Sequence, residues 1–184
     1  MSQIIYLYYK NIDYDTLIAF LNGFEDLYVK KLSENLFMIT DESAYEDRDY
    51  NHLREMAMQE FYQDFTAFIV PKSQGFDANI ILQVLPKMNP GVYEIQTIIP
   101  EIVLSHLNET KSLLKNYYYS LCGIETIESV IGFIESNLNA SEASKRLFMH
   151  RNTLNYRLDH FVKQSRIDIR TFEGALAIYL LFRI

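Results

Sequence analysis

Cysteine, proline and glycine are scarce: the 184 residues hold one cysteine, four prolines and six scattered glycines. A lone Cys122 excludes an internal disulfide and a cysteine-rich zinc site, and it reads as a small buried hydrophobe. No apolar run reaches the ~18 residues of a membrane span. The opening MSQIIYLYYKNIDYD lacks both the basic flank and the small-residue cleavage site of a secretory signal, so a cytoplasmic chain with no membrane partner is expected. A Walker loop, GxGxxG, HExxH and GxSxG are also missing, and with them the usual phosphate cradles, metal ligands and nucleophile elbows. The expectation is a non-enzyme with no cofactor and no metal.

What is present suits a folded globular chain. Hydrophobic residues make up 49% and charged residues 22%, far from the composition of a disordered segment. The net charge of −7 is unevenly spread. Residues 1 to 125 hold 9 basic and 18 acidic side chains, a balance of −9, whereas residues 126 to 184 hold 8 and 6, a balance of +2. The segment from Lys145 to Arg170 holds 7 basic and 2 acidic residues, or +5. At physiological salt the Debye length is only about 8 Å, so a remote acidic region does not prevent a basic face from meeting phosphate.

The periodicity changes character along the chain. Strands are expected at 4 to 9, 26 to 32, 35 to 40, 66 to 71 and 92 to 96, with the second and third forming a hairpin, and helices at 13 to 24, 45 to 65 and 77 to 88. From residue 99 the spacing is helical throughout: 99 to 121 with a break near Asn108, then 125 to 137, and finally the apolar 171 to 184. The fold class is α+β, a small N-terminal α/β domain with helices on a mixed sheet followed by an all-α C-terminal region. The expected division is a regulatory or dimerisation domain at 1–98, connecting helices at 99–124 and a DNA-binding domain at 125–184.

Residues 139 to 164 fit two helices joined by a very short turn. Asn139 is placed to cap the first, with Glu142 as the return partner of a capping box. Ala143, Ser144 and Leu147 share a face, and the two small residues allow another helix to cross closely. After the turn FMH, leucines at 154 and 158 with Phe161 and Val162 form a buried stripe. The opposite face offers Arg151, Asn152, Asn155 and Tyr156, side chains suited to base edges in a major groove. Asn139, Ser141, Lys145, Arg146, His150, Thr153, Arg157 and Lys163 are the candidate phosphate contacts. His150 is equally a candidate N-cap, and it shares no helical face with His160.

Preceded by NASEASKR and followed by an apolar helix, LFMHRNTLNYRLDHF resembles the C-terminal helix-turn-helix of the PucR family of bacterial transcription regulators, which includes the sugar-diacid regulators. Ala143, Leu147, His150, Arg151, Asn152, Thr153, Leu154, Tyr156, Arg157 and Leu158 match its pattern, with Met149 in a valine place. The resemblance implies a wingless helix-turn-helix, in the style of the factor-for-inversion proteins, that binds double-stranded DNA as a homodimer. It leaves the operator and any small-molecule effector unknown. GVYEIQTIIPEIVLSHL resembles the segment joining a degenerate GGDEF-like domain to the DNA-binding part in such regulators, although no GGDEF stretch occurs.

Two other classes compete. A nucleotide- or metal-dependent enzyme would use the carboxylates Asp13, Asp15, Glu25, Asp26, Asp41, Glu42, Glu46, Asp47 and Asp49. A protein-interaction module without DNA affinity would use the fourteen tyrosines and twelve phenylalanines as interface aromatics.

Overall fold

The structure is a computed structural model that describes residues 2–43 and 48–184. Its chain divides into two compact units, one comprising Met1–Val70 with Ile81–Glu94 and the other Pro71–Ile80 with Ile95–Ile184.

The first unit is a five-stranded mixed sheet carrying helices. Its strands are β1 (Gln3–Tyr8), β2 (Leu27–Lys31), β3 (Leu36–Asp41), β4 (Thr66–Ile69) and β5 (Gly91–Tyr93), in the order β2-β3-β1-β4-β5. β1 lies antiparallel between β3 and β4, β2 and β3 form the hairpin, and β5 joins β4 in parallel. Alternation along the strands sends Ile5, Leu7, Phe37 and Ile39 into the core. There they meet Leu17 and Leu21 of helix α1 (Tyr14–Leu21) and Leu53 and Ala57 of helix α2 (Tyr50–Phe61). Asp13 and Asp49 cap these helices, accepting from Thr16 N–H and from the Asn51 and His52 amides. Asp41 is buried against Arg48 at 2.8 Å and accepts from Tyr50 Oη at 2.9 Å. Three of the carboxylates considered as metal ligands are therefore engaged in caps and an ion pair. Glu46 and Asp47 lie outside the described residues.

Several element bounds differ from the sequence expectation. The helix expected at 45 to 65 starts, among the described residues, at Tyr50 and stops at Phe61, because Tyr62 turns left-handed at φ 53°. Residues 44 to 47 lie outside the described part. The helix expected at 77 to 88 is a short α3 (Asn79–Leu82) followed by a separate 3-10 turn at Leu85–Lys87. Pro86, which has no amide to donate, stands in the first positions of that turn. The strand expected at 92 to 96 ends at Tyr93, and a helix starts at Ile95.

The second unit is helical: α4 (Ile95–Leu104), α5 (Asn108–Cys122), α6 (Ile124–Ile134), α7 (Ala140–Arg146), α8 (Arg151–Ser165) and α9 (Phe172–Arg183). Buried Ile95, Ile98, Ile99, Ile102 and Val103 give α4 an apolar stripe at helical spacing. The stripe packs on α9, whose Ala177, Ile178 and Leu181 are buried. The apolar stripes of α4 and α9 are thus covered within this unit. Gly123 alone separates α5 from α6, at φ 80°, a conformation that glycine adopts without strain. Cys122 is buried, and burial pushes its thiol up to about 11. Among the described residues no helix is long and apolar enough to cross a membrane.

Candidate nucleic-acid interface

The chain reverses after α6 through Asn137 and Leu138, both left-handed at φ 54° and 59°. Asn139 Oδ1 then accepts from the amides of Ser141 and Glu142 at 3.0 and 3.2 Å and starts α7. The Asn cap is as the sequence suggested, but the return half of the capping box is not. The Asn139 amide donates to the Ser136 carbonyl at 3.0 Å instead of to Glu142. Ala143 and Ser144 are buried on the inner face of α7. Crossing there is close, since a methyl group on Gly132 of α6 would stand 2.8 Å from the Leu147 side chain.

The turn consists of Leu147, Phe148, Met149 and His150. Phe148 is left-handed at φ 52° and 97% exposed. His150 Nδ1 accepts from the Asn152 amide at 3.2 Å and caps α8, which requires that nitrogen to be unprotonated. Leu154, Leu158, Phe161 and Ser165 form the buried stripe of α8, with Val162 half-buried. Beyond it Thr171 Oγ1 accepts from the Gly174 amide at 3.1 Å to start α9. Among the described residues no strand follows Tyr93, so the helix pair carries no wing.

On the open side, Arg151, Asn152, Thr153 and Tyr156 are exposed and Asn155 is half-exposed. Arg151 and Asn155, one turn apart, line a shallow hollow with Asn139, Ala140 and Arg170. Tyr156, 72% exposed, stacks on His160 with ring centres 6.3 Å apart. Asn139 and Ser141 lie at the start of α7, where the cap already occupies the Ser141 and Glu142 amides.

The basic side chains fall into two groups. Arg146 Nη2 donates to Glu135 Oε2 at 2.6 Å, and Arg183 Nε donates to the other oxygen of the same carboxylate at 2.7 Å. Arg157 reaches the Glu125 carboxylate and donates to Ser129 Oγ at 3.1 Å. Arg170 donates to Asp159 Oδ1 at 2.6 Å. Arg146 and Arg157, expected along the phosphate backbone, therefore tie α7 and α8 to α6. Among the described residues, Lys145, Arg151, Lys163 and Arg166 make no ion pair or hydrogen bond through their side chains. The sequence reading missed two exposed residues here, Phe148 and Arg166. Both take left-handed backbone positions at element ends, where glycine is the usual marker and is absent.

Residues 126–184 match the PucR C-terminal helix-turn-helix domain. The C-terminal domain belongs to this family. The chain is also 35% identical over 100 residues to the Bacillus subtilis uncharacterized protein YxkF, covering 53% of this chain and 33% of that protein. It is 36% identical over 86 residues to the Bacillus subtilis DNA-binding transcriptional activator AdeR, covering 42% of this chain and 20% of AdeR. The match thus spans a third or less of the length of these relatives. A solved structure, the regulator of polyketide synthase expression from Bifidobacterium adolescentis, aligns over 98% of this chain and 78% of its own at 15% identity with a TM-score of 0.49. In the PucR-type domain, the motif residues Leu154 and Leu158 are core, His150 is a cap and Arg157 is a clamp, while Arg151, Asn152 and Tyr156 face outward.

Proposed function

We propose that the protein is a transcription regulator that reads duplex DNA with α8 of its PucR-type domain, acts as a cytoplasmic homodimer and performs no catalysis. In this reading residues 1–98 are regulatory or dimer-forming, 99–124 connect, and 125–184 bind DNA. The observation that carries it is the outer face of α8. A family-matched helix-turn-helix presents Arg151, Asn152, Asn155 and Tyr156 outward, and among the described residues no side chain pairs with Arg151. Arg and Asn match guanine and adenine edges in the major groove. A second copy follows from the few base pairs that one such motif reads, since half-sites about 34 to 36 Å apart need two modules.

Selection of bound duplexes from a random pool, followed by salt titration, tests the reading. Arg151→Ala is expected to cost ~1 to 3 kcal/mol on the preferred site and to relax one base position per half-site. Sedimentation on and off DNA tests the dimer. Absence of salt-dependent binding to any duplex would favour the interaction-module reading, for which the nearly bare Phe148 ring is the best argument.

A further inference from the structure

The four open cations are not equivalent. Lys145 and Lys163 stand in the last turns of α7 and α8, where any helix favours a positive side chain. The dipole of α8 favours a cation at Arg166 as well, but this position adds a backbone cost that the lysines do not carry. Arg166 follows α8 as its C-cap at φ 62° and ψ 16°, with its amide donating to the Val162 carbonyl at 3.0 Å. Glycine or asparagine takes that left-handed position at less conformational cost than arginine. The side chain is exposed and, among the described residues, makes no hydrogen bond or ion pair that would offset the cost. Of the acids nearest in sequence, Asp159 accepts from the Arg170 guanidinium and Asp168 from the Arg170 amide, while Glu173 stands in the first turn of α9 and makes no ion pair with Arg166.

From this placement we infer that Arg166 is a DNA-backbone phosphate contact lying outside the helix-turn-helix motif itself. The inference rests on the proposed DNA-binding function. With 15 residues, α8 is about 22 Å long at 1.5 Å per residue, whereas the major groove is only about 12 Å wide. A helix seated in the groove by its Arg151 end carries its other end past the groove wall. The side chain that caps this far end then meets the phosphates, and it contributes affinity without reading sequence.

The test exploits the backbone conformation. In the full chain, Arg166→Gly and Arg166→Asn suit the left-handed position and remove the charge, while Arg166→Lys keeps the charge. Each is titrated with a selected duplex and a random duplex between 50 and 200 mM NaCl and melted in parallel. Glycine and asparagine variants are expected to melt no lower than the parent, to weaken both duplexes by the same factor, and to reduce the slope of log K against log salt by about one unit. The lysine variant should retain the slope. If the parent binds DNA with a salt dependence that the glycine and asparagine variants leave unchanged, or if they alter base preference alone, Arg166 is not a phosphate contact and the DNA-binding reading stands. If the parent binds no duplex, both fall.

Discussion

Arg157→Ala separates a DNA contact from an internal clamp. Motif position alone makes Arg157 a phosphate contact, but the structure turns it toward α6. Its guanidinium reaches the Glu125 carboxylate and carbonyl and the Ser129 hydroxyl. Its side chain is 26% exposed and that of Glu125 78% exposed, so removing the arginine leaves a carboxylate that water readily solvates. The ion pair is then worth only ~0.2 to 1 kcal/mol. Ser129 loses one partner but still donates to the Glu125 carbonyl at 2.7 Å, and a net hydrogen bond is worth ~0.5 to 1.5 kcal/mol. Together with the lost packing of the aliphatic stem, the expected destabilisation is about 1 to 2 kcal/mol. That corresponds to a fall of the order of 5 to 10 °C in the melting of the helical unit. Thermal melts of Arg157→Ala, Glu125→Ala and the double variant should show coupling between the two sites, while the salt slope of DNA binding stays that of the parent. A slope reduced by one unit with unchanged melting would refute the clamp and restore the phosphate role.

Three other perturbations test the architecture. Leu154→Ala empties a fully buried site on the core stripe of α8 and should cost ~2 to 5 kcal/mol in thermal or urea unfolding, with DNA affinity unchanged at temperatures where the variant stays folded. Gly174→Ala would place a methyl group 2.2 Å from the Asp168 carbonyl oxygen. Backbone cannot swing aside as a side chain can, so a loss of ~1 to 3 kcal/mol or more is expected in the same measurement. Burial raises the Asp64 carboxyl, but the Arg54 guanidinium and the Phe65 amide outweigh it and hold it below its ordinary 3.8. Its contribution is therefore complete above that value and lost as pH falls through the depressed one, so urea midpoints should drop on acidification below pH 3.8 and drop less in Asp64→Asn.

Local patterns were readable and distant pairings were not. Alternation exposed β1, because Ile5 and Leu7 point to one face, and helical spacing exposed α8, because Leu154, Leu158 and Phe161 recur along one stripe. The cap at Asn139 involves amides only two or three residues away. Element ends failed where a non-glycine residue took a left-handed backbone, as Tyr62 does after α2. The partner of Arg157 lies 32 residues upstream and that of Arg183 48 residues upstream. Spacing within a helix cannot say which arginines are spent inside the fold. The burial of α9 on α4 is equally remote.

Charge placement within the helical unit favours a ligand over mere solubility. Glu142 and Glu173 occupy the first turns of α7 and α9, and Lys145 and Lys163 the last turns of α7 and α8. All four follow the helix dipole, so local stability explains them. Arg151 opposes it. It is a cation in the first turn of α8, which holds no acidic residue, and no side chain among the described residues pairs with it. A positive charge there costs the folded chain ~0.3 to 1 kcal/mol rather than stabilising it. Arg151→Ala should consequently melt no lower than the parent while DNA affinity falls. If the helical unit instead loses stability in that variant, Arg151 serves the fold, and the case for α8 as the reader of DNA loses its strongest residue.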